Sequence, residues 1–191
     1  MTTKTTLNLE DLMKQVEGQS YPPVDKWNPD FCGDIDMRIA RDGTWFYMGT
    51  PITRQRMVKL FSTILRKDED GKTYLVTPVE KVGITVDDAP FVAVRVDAVG
   101  EGDSQALHFT TNVGDCVIAG KDNPIRVEVD PETGEPSPYV HVRGRLEALI
   151  SRAAFYELVD LAETRTKDGV PTLLIKSQGM EFEIGTLEEV D

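Results

Sequence analysis

Two arginines stand where an arginine is poorly placed. Arg54, in Ile52-Thr53-Arg54-Gln55-Arg56-Met57, and Arg152, in Ile150-Ser151-Arg152-Ala153-Ala154-Phe155, each follow a hydroxyl residue at what reads as a helix start. A helix N-terminus carries free N–H groups and positive potential, so it favours anions and opposes a cation. A guanidinium beside those N–H groups can hold a carboxylate or phosphate through two parallel hydrogen bonds. Each arginine therefore has two readings. It binds an anionic ligand, or it pairs with one of the 33 acidic side chains, contributed by the other half of the chain.

Other polar groups fall into short patterned sets. Asp34, Asp36 and Arg38 alternate with apolar residues and share one side of a strand, as Tyr139, His141, Arg143 and Arg145 do further on. These faces either wall a cleft between two related halves or simply meet water. Trp45 and Tyr47 on a neighbouring strand either stack on a flat ring or pack. Thr111 and Asn112 lie in a polar loop, Thr110 to Asp115, of the kind that presents backbone N–H groups to an anion. Glu80 and Lys81, just past Pro78, pair with each other or reach the cleft. The candidate ligand-binding set is thus Asp36, Arg38, Trp45, Tyr47, Arg54, Glu80, Lys81, Thr111, Asn112, Tyr139 and Arg143.

Catalytic constellations are weaker. His108 and His141 have no metal-ligand spacing to Cys32 or Cys116. Asp34-x-Asp36 alone is a poor metal site. Neither a nucleophile elbow nor a phosphate-loop motif occurs, and Gly100-Glu101-Gly102-Asp103-Ser104-Gln105 precedes a strand, not a helix. No catalytic residue, metal or cofactor is assigned. A hydrolase using Asp34 or Asp36 ranks last among the functions considered.

The elements that must position these groups read as follows. Leu9, Leu12, Met13 and Val16 predict a short amphipathic helix over 8–17, and a turn-rich linker follows. Residues 34–39 and 45–48 predict a hairpin. A helix is expected over 54–66, capped by Thr53 and stapled by Ile52 and Met57. Strands are expected at 73–77, 82–86, 91–99, 106–111, 116–119, 125–129 and 139–146, with an exposed loop at 130–138. A second helix, capped by Ser151, precedes strands at 172–176 and 180–184. Laying 52–77 on 150–175 without a gap matches helix to helix and Asp70-Gly71 to Asp168-Gly169, which reads as a duplication. The expected fold is α+β, two related halves of antiparallel strands plus a helix. The expected division is a helical extension at 1–19, one domain at 20–84 and a second at 85–191.

Charge limits the partners. A net charge of −12 repels phosphate backbones, so long nucleic acid is not expected as a ligand. No apolar run approaches the roughly 20 residues of a membrane helix, so membrane insertion is not expected either. The opening residues lack a secretory pattern, and two cysteines make no disulfide framework, which together imply a cytoplasmic chain.

Three blocks carry a resemblance: Trp27 to Arg54, Thr77 to Val94, and Phe109 to Val127. They are similar to the bacterial Domain of Unknown Function family DUF1285, from about residue 20 to the C-terminus. The resemblance implies a two-part protein with a duplicated core, its second half loosely like pleckstrin-homology folds. It further implies a nucleotide-like ligand at the interface of the halves and a role in signalling. No activity comes with it. The leading expectation is a binding protein for a small anionic, nucleotide-like molecule. The alternative is a module that docks a protein partner.

Overall fold

The computed structural model describes residues 22–187, so the helix expected over 8–17 lies outside the described residues. The chain divides into two units, one reaching Asp88 and one starting at Ala89. Both are mostly β, and no helix among the described residues is long and apolar enough to cross a membrane.

Among the described residues the first unit begins with a 3-10 turn, Val24–Lys26. Strands β1 (Phe31–Ile39), β2 (Trp45–Tyr47) and β3 (Thr50–Pro51) form an antiparallel meander. Helix α1 (Gln55–Ser62) follows. A second meander comprises β4 (Leu65–Lys67), β5 (Thr73–Val76) and β6 (Lys81–Val86). β1 and β6 join the meanders as parallel neighbours, giving the order β3-β2-β1-β6-β5-β4.

Alternation decides which face is which. Asp34, Asp36 and Arg38 are exposed, whereas Met37 and Ile39 are buried. Cross-strand pairing carries that division into β2, where Trp45 lies opposite Ile39 and Tyr47 opposite Met37. Helix α1 supplies buried Val58 and Phe61, and Phe61 stacks on Trp45 at 6.4 Å. Burying a side chain of this size contributes about 1.5–3 kcal/mol.

Helix α1 differs from the expected 54–66 at both ends. The Ile52 N–H donates to Trp45 O, which keeps the chain extended, and Arg54 rather than Thr53 takes the cap position. Its carbonyl accepts from Met57 and Val58, and no side chain caps the helix. At the other end the Thr63 hydroxyl donates to Leu60 O, and Ile64 O accepts from Val76 N. The sheet thus takes over at Leu65, whose apolar spacing suits either structure.

The second unit begins with β7 (Phe91–Val99), β8 (Ala106–Thr111) and β9 (Cys116–Ile118), then β10 (Ile125–Val129), β11 (Pro136–Arg143) and β12 (Leu146–Ile150). The strand expected at 139–146 is therefore two strands joined by the Gly144-Arg145 turn. Their order is β10-β11-β12-β7-β8-β9, with β7 and β12 parallel. Helix α2 (Arg152–Leu161) comes after this sheet. A separate antiparallel sheet follows, of β13 (Glu163–Lys167), β14 (Val170–Ser177) and β15 (Met180–Thr186).

The two six-stranded sheets share one topology. Read from the other edge, the second sheet is β9-β8-β7-β12-β11-β10, strand for strand the order of the first. The phase is not the one drawn from the helices, however. α1 lies between the two meanders of its sheet, whereas α2 follows both meanders of its own. The likeness of Ile52–Met57 to Ile150–Phe155 is therefore a likeness of sequence alone, since Ser151 caps its helix and Thr53 does not, and the sheets match as β1–β6 against β7–β12. This strand order does not by itself single out the pleckstrin-homology architecture.

Candidate functional site

The parallel seam of the first sheet is irregular. Phe31 pairs with Lys81, Asp34 with Gly83 and Arg38 with Thr85, so β1 advances three and then four residues where β6 advances two each time. The surplus bends β1, with Gly33 at φ 105° taking a conformation that favours glycine. A cleft of about 360 Å³ opens beside this seam. That volume lies within the roughly 300–1,000 Å³ of small-molecule sites. Asp34, Ile35, Lys72, Tyr74, Ile84 and Thr85 are among its walls.

Glycine at 83 shapes the cleft. A Cβ there would fall 2.0 Å from Asp34 Oδ1, so only the missing side chain lets the carboxylate lie against β6. The Asp34 carboxylate has no ion-pair or hydrogen-bond partner among the described residues. Lys72 ends the Asp70-Gly71 turn, its N–H donating to Asp70 Oδ1 at 2.8 Å while its ammonium stays unpaired among the described residues. The Tyr74 hydroxyl donates to Asp70 Oδ2. That bond pushes the phenol up to about 12 and holds the Asp70 carboxyl below its ordinary range. Tyr74 is thus a fixed neutral donor, not a proton shuttle. Its ring also carries Lys81 Nζ at 4.1 Å and Phe31 edge-on at 5.8 Å.

Beside the cleft lies a half-buried ionic knot. Asp68 accepts from Arg66 Nε at 2.7 Å and from Lys81 Nζ at 2.6 Å. Arg66 Nη1 reaches back to Val24 O at 2.8 Å and Trp27 O at 2.7 Å, tying the incoming segment to β4. Burial pushes the Asp68 carboxyl up, but the hydrogen bonds from Arg66 and Lys81 outweigh it and leave the group below its ordinary range.

The residues expected from sequence fall in different surroundings. Asp36 is exposed on the same strand face as Asp34; its carbonyl accepts from Met48 N at 2.9 Å, and its carboxylate has no partner among the described residues. Arg38 pairs with Asp87 and lies 4.7 Å over the Phe46 ring. Trp45 is core, 1% exposed, so it offers no stacking surface, and its Nε1 has no partner among the described residues. Tyr47 shares that inner face, half-buried. The aromatic on the polar face is Phe46, which lies opposite Arg38 in the ladder; counting one residue along β2 would have found it. Arg54 is exposed and without an ion pair among the described residues. Glu80 closes a turn in which its N–H donates to Thr77 Oγ1 at 3.0 Å. Lys81 pairs with Asp68, not with Glu80.

In the second unit, Thr111, Asn112 and Arg143 converge, but on one another's neighbours. Thr111 is buried, and its hydroxyl accepts from Asp115 N at 3.1 Å. Asn112 Oδ1 accepts from Val92 N at 3.0 Å, and Asn112 N donates to Val92 O at 2.8 Å. Gly114 N donates to Thr111 O. The loop read as an anion nest thus aims these N–H groups at its own fold. Arg143 pairs with Asp115 at 3.2 Å and lies 5.2 Å from the Phe91 ring centre. Tyr139 is buried beneath Arg126, which grips Glu147 with two nitrogens at 2.7 and 2.8 Å. Arg152 pairs with Glu135 of its own unit at 3.4 Å, not with the other half. No group of three His, Cys, Asp or Glu side chains among the described residues is placed to hold a metal ion.

The sequence reading missed Lys72, Gly83, Phe46 and Arg66. Gly83 and Arg66 carry no motif; only pairing reveals them.

The N-terminal domain of the domain of unknown function DUF1285 matches residues 22–89, and the C-terminal domain of the same family matches 90–184. The chain belongs to the DUF1285 family. A solved DUF1285 structure from Silicibacter pomeroyi DSS-3 is 57% identical, covers 96% of this chain and 97% of that one, and superposes with a TM-score of 0.87. A second, from Shewanella baltica OS155, is 27% identical with a TM-score of 0.51, covering 65% of this DUF1285 chain and 90% of that one. No curated protein matches.

Proposed function

We propose that this DUF1285 protein binds a small charged molecule in the cleft beside β1 and β6 and does no chemistry on it. The observation that carries the reading is the bulged seam, which leaves a ligand-sized space edged by Asp34 and Lys72, two opposite charges that make no pair. Binding without turnover fits the lining. It offers no cysteine or histidine, and Tyr74 is locked to Asp70. A purely anionic, nucleotide-like ligand would gain Lys72 but meet Asp34, so the mixed charge shifts the expected ligand away from a simple anion. A binding protein of this kind suits a sensor, in which occupancy is the signal.

The test is a thermal-shift screen of nucleotides, carboxylic acids, amines and amino acids against the wild type and Thr85→Trp, whose indole fills the cleft. A ligand that binds only the native state raises the melting temperature by mass action. The expected result is a shift in wild type that is lost in Thr85→Trp, with the unliganded variant melting as wild type does. A shift that survives the filling, or no shift with any class, overturns the reading.

A further inference from the structure

The cleft's two charges define a ligand class. We infer, resting on the cleft reading, that the ligand is a small zwitterion with an ammonium group at one end, an acid group at the other and an apolar body between them.

The Asp34 carboxylate is the first determinant. It lies in the notch left by Gly83 and makes no hydrogen bond there among the described residues. A carboxylate in a cleft accepts hydrogen bonds only, so the matching ligand group is a donor, and an ammonium adds charge to the bond. Lys72 is the second. Asp70 is the nearest acid along the chain, but its two oxygens already accept from Tyr74 and from the Lys72 backbone. The Lys72 ammonium makes no ion pair among the described residues, so its three donors are left for an acid group of the ligand.

Spacing gives the length. Tyr74 of β5 pairs with Gly83 of β6, and Gly83 pairs with Asp34 of β1, so two strand steps, about 10 Å of backbone, lie between the Lys72 and Asp34 edges. A ligand that reaches both side chains carries its charges on separate carbons, several bonds apart. Tyr74 and Gly83 lie on the line between the two edges, and Ile35, Ile84 and Val86 are also among the cleft's walls, so the ligand's body can carry methylene groups.

The experiment uses three probes with the same carbon chain: 6-aminohexanoate, hexanoate and hexylamine, titrated calorimetrically into the full chain. 6-Aminohexanoate is expected to bind about fivefold to tenfold more tightly than either relative, the effect of one partly desolvated charge contact. Asp34→Asn is expected to remove the preference over hexanoate, and Lys72→Met the preference over hexylamine. Equal binding of all three probes, abolished by Thr85→Trp, overturns the zwitterion class while leaving the cleft as a binding site. Binding of 6-aminohexanoate that Thr85→Trp does not change, or no binding of any probe together with no hit in the thermal-shift screen, overturns both readings.

Discussion

The two six-stranded sheets have the same strand order and differ at their seams. In the second sheet Phe91, Val92 and Ala93 pair with Ala148, Leu149 and Ile150 without a shift, and Asn112 stitches the adjoining loop to β7. In the first sheet β1 carries surplus residues at the corresponding seam, and a cleft opens beside it. One topology can therefore be closed or opened by a few residues in one strand. The difference places the candidate site in a local irregularity rather than in the shared architecture.

The helices extend the comparison. α1 covers its sheet from between the meanders, without a capping side chain. α2 follows its sheet and is capped by Ser151, whose hydroxyl accepts from Ala154 N at 3.2 Å.

The largest expected effect tests whether the inner face of the first sheet is core alone. Trp45→Ala removes the ring that Phe61 stacks on and should cost about 3–5 kcal/mol in urea unfolding. Trp45→Phe should cost far less, since the indole N–H has no partner to lose. Similar costs for the two would break the assignment of Trp45 to packing.

Next comes the Arg66–Asp68–Lys81 knot of the first unit. Arg66→Ala removes two hydrogen bonds to backbone carbonyls and leaves Asp68 with Lys81 alone, an expected loss of about 2–3 kcal/mol. The sign of the pH effect follows from Asp68. Its folded pKa lies below the unfolded one, so the unfolded chain binds more protons in acid. The stabilisation is complete above the ordinary carboxylate pKa and fades as pH falls through the lowered folded value. Urea midpoints measured through the acid range should fall more steeply for wild type than for Arg66→Ala.

The smallest effects separate the two helices. Ser151→Ala should cost about 1 kcal/mol, the usual worth of an N-cap. Arg54→Ser should instead stabilise by about 0.5–1 kcal/mol, because it supplies a cap and removes a cation from the positive end of the helix. A loss at Arg54 would mean that the guanidinium contributes to the fold.

Much of the fold was legible from the sequence. Strict alternation located β1, and its exposed and buried faces followed. Asp-Gly turns and apolar runs placed β5 to β10. The strands β3, β4, β12 and β13 were not legible. Leu65 fits a helical period as well as a strand, and every residue of Glu163–Lys167 is exposed, so no apolar pattern marks it. The candidate site was barely legible at all. A bulge is a mismatch between two strands distant in sequence, and neither strand shows it alone. Asp34 stood out through the strand face it shares with Asp36 and Arg38, which are not among the cleft's walls. Lys72 and Gly83 stayed hidden because their role depends on which strand lies beside β6.

The parallel seam also sets an order of events during synthesis. Each meander is made of hairpins close in sequence, which form early and quickly. The seam joins the first strand of one meander to the last strand of the next, so it cannot form until the whole unit has been made. Until then β1, and later β7, presents an open edge to any other nascent chain. The interval during which that edge is exposed is set by translation speed across the second meander, and slow codons there would lengthen it.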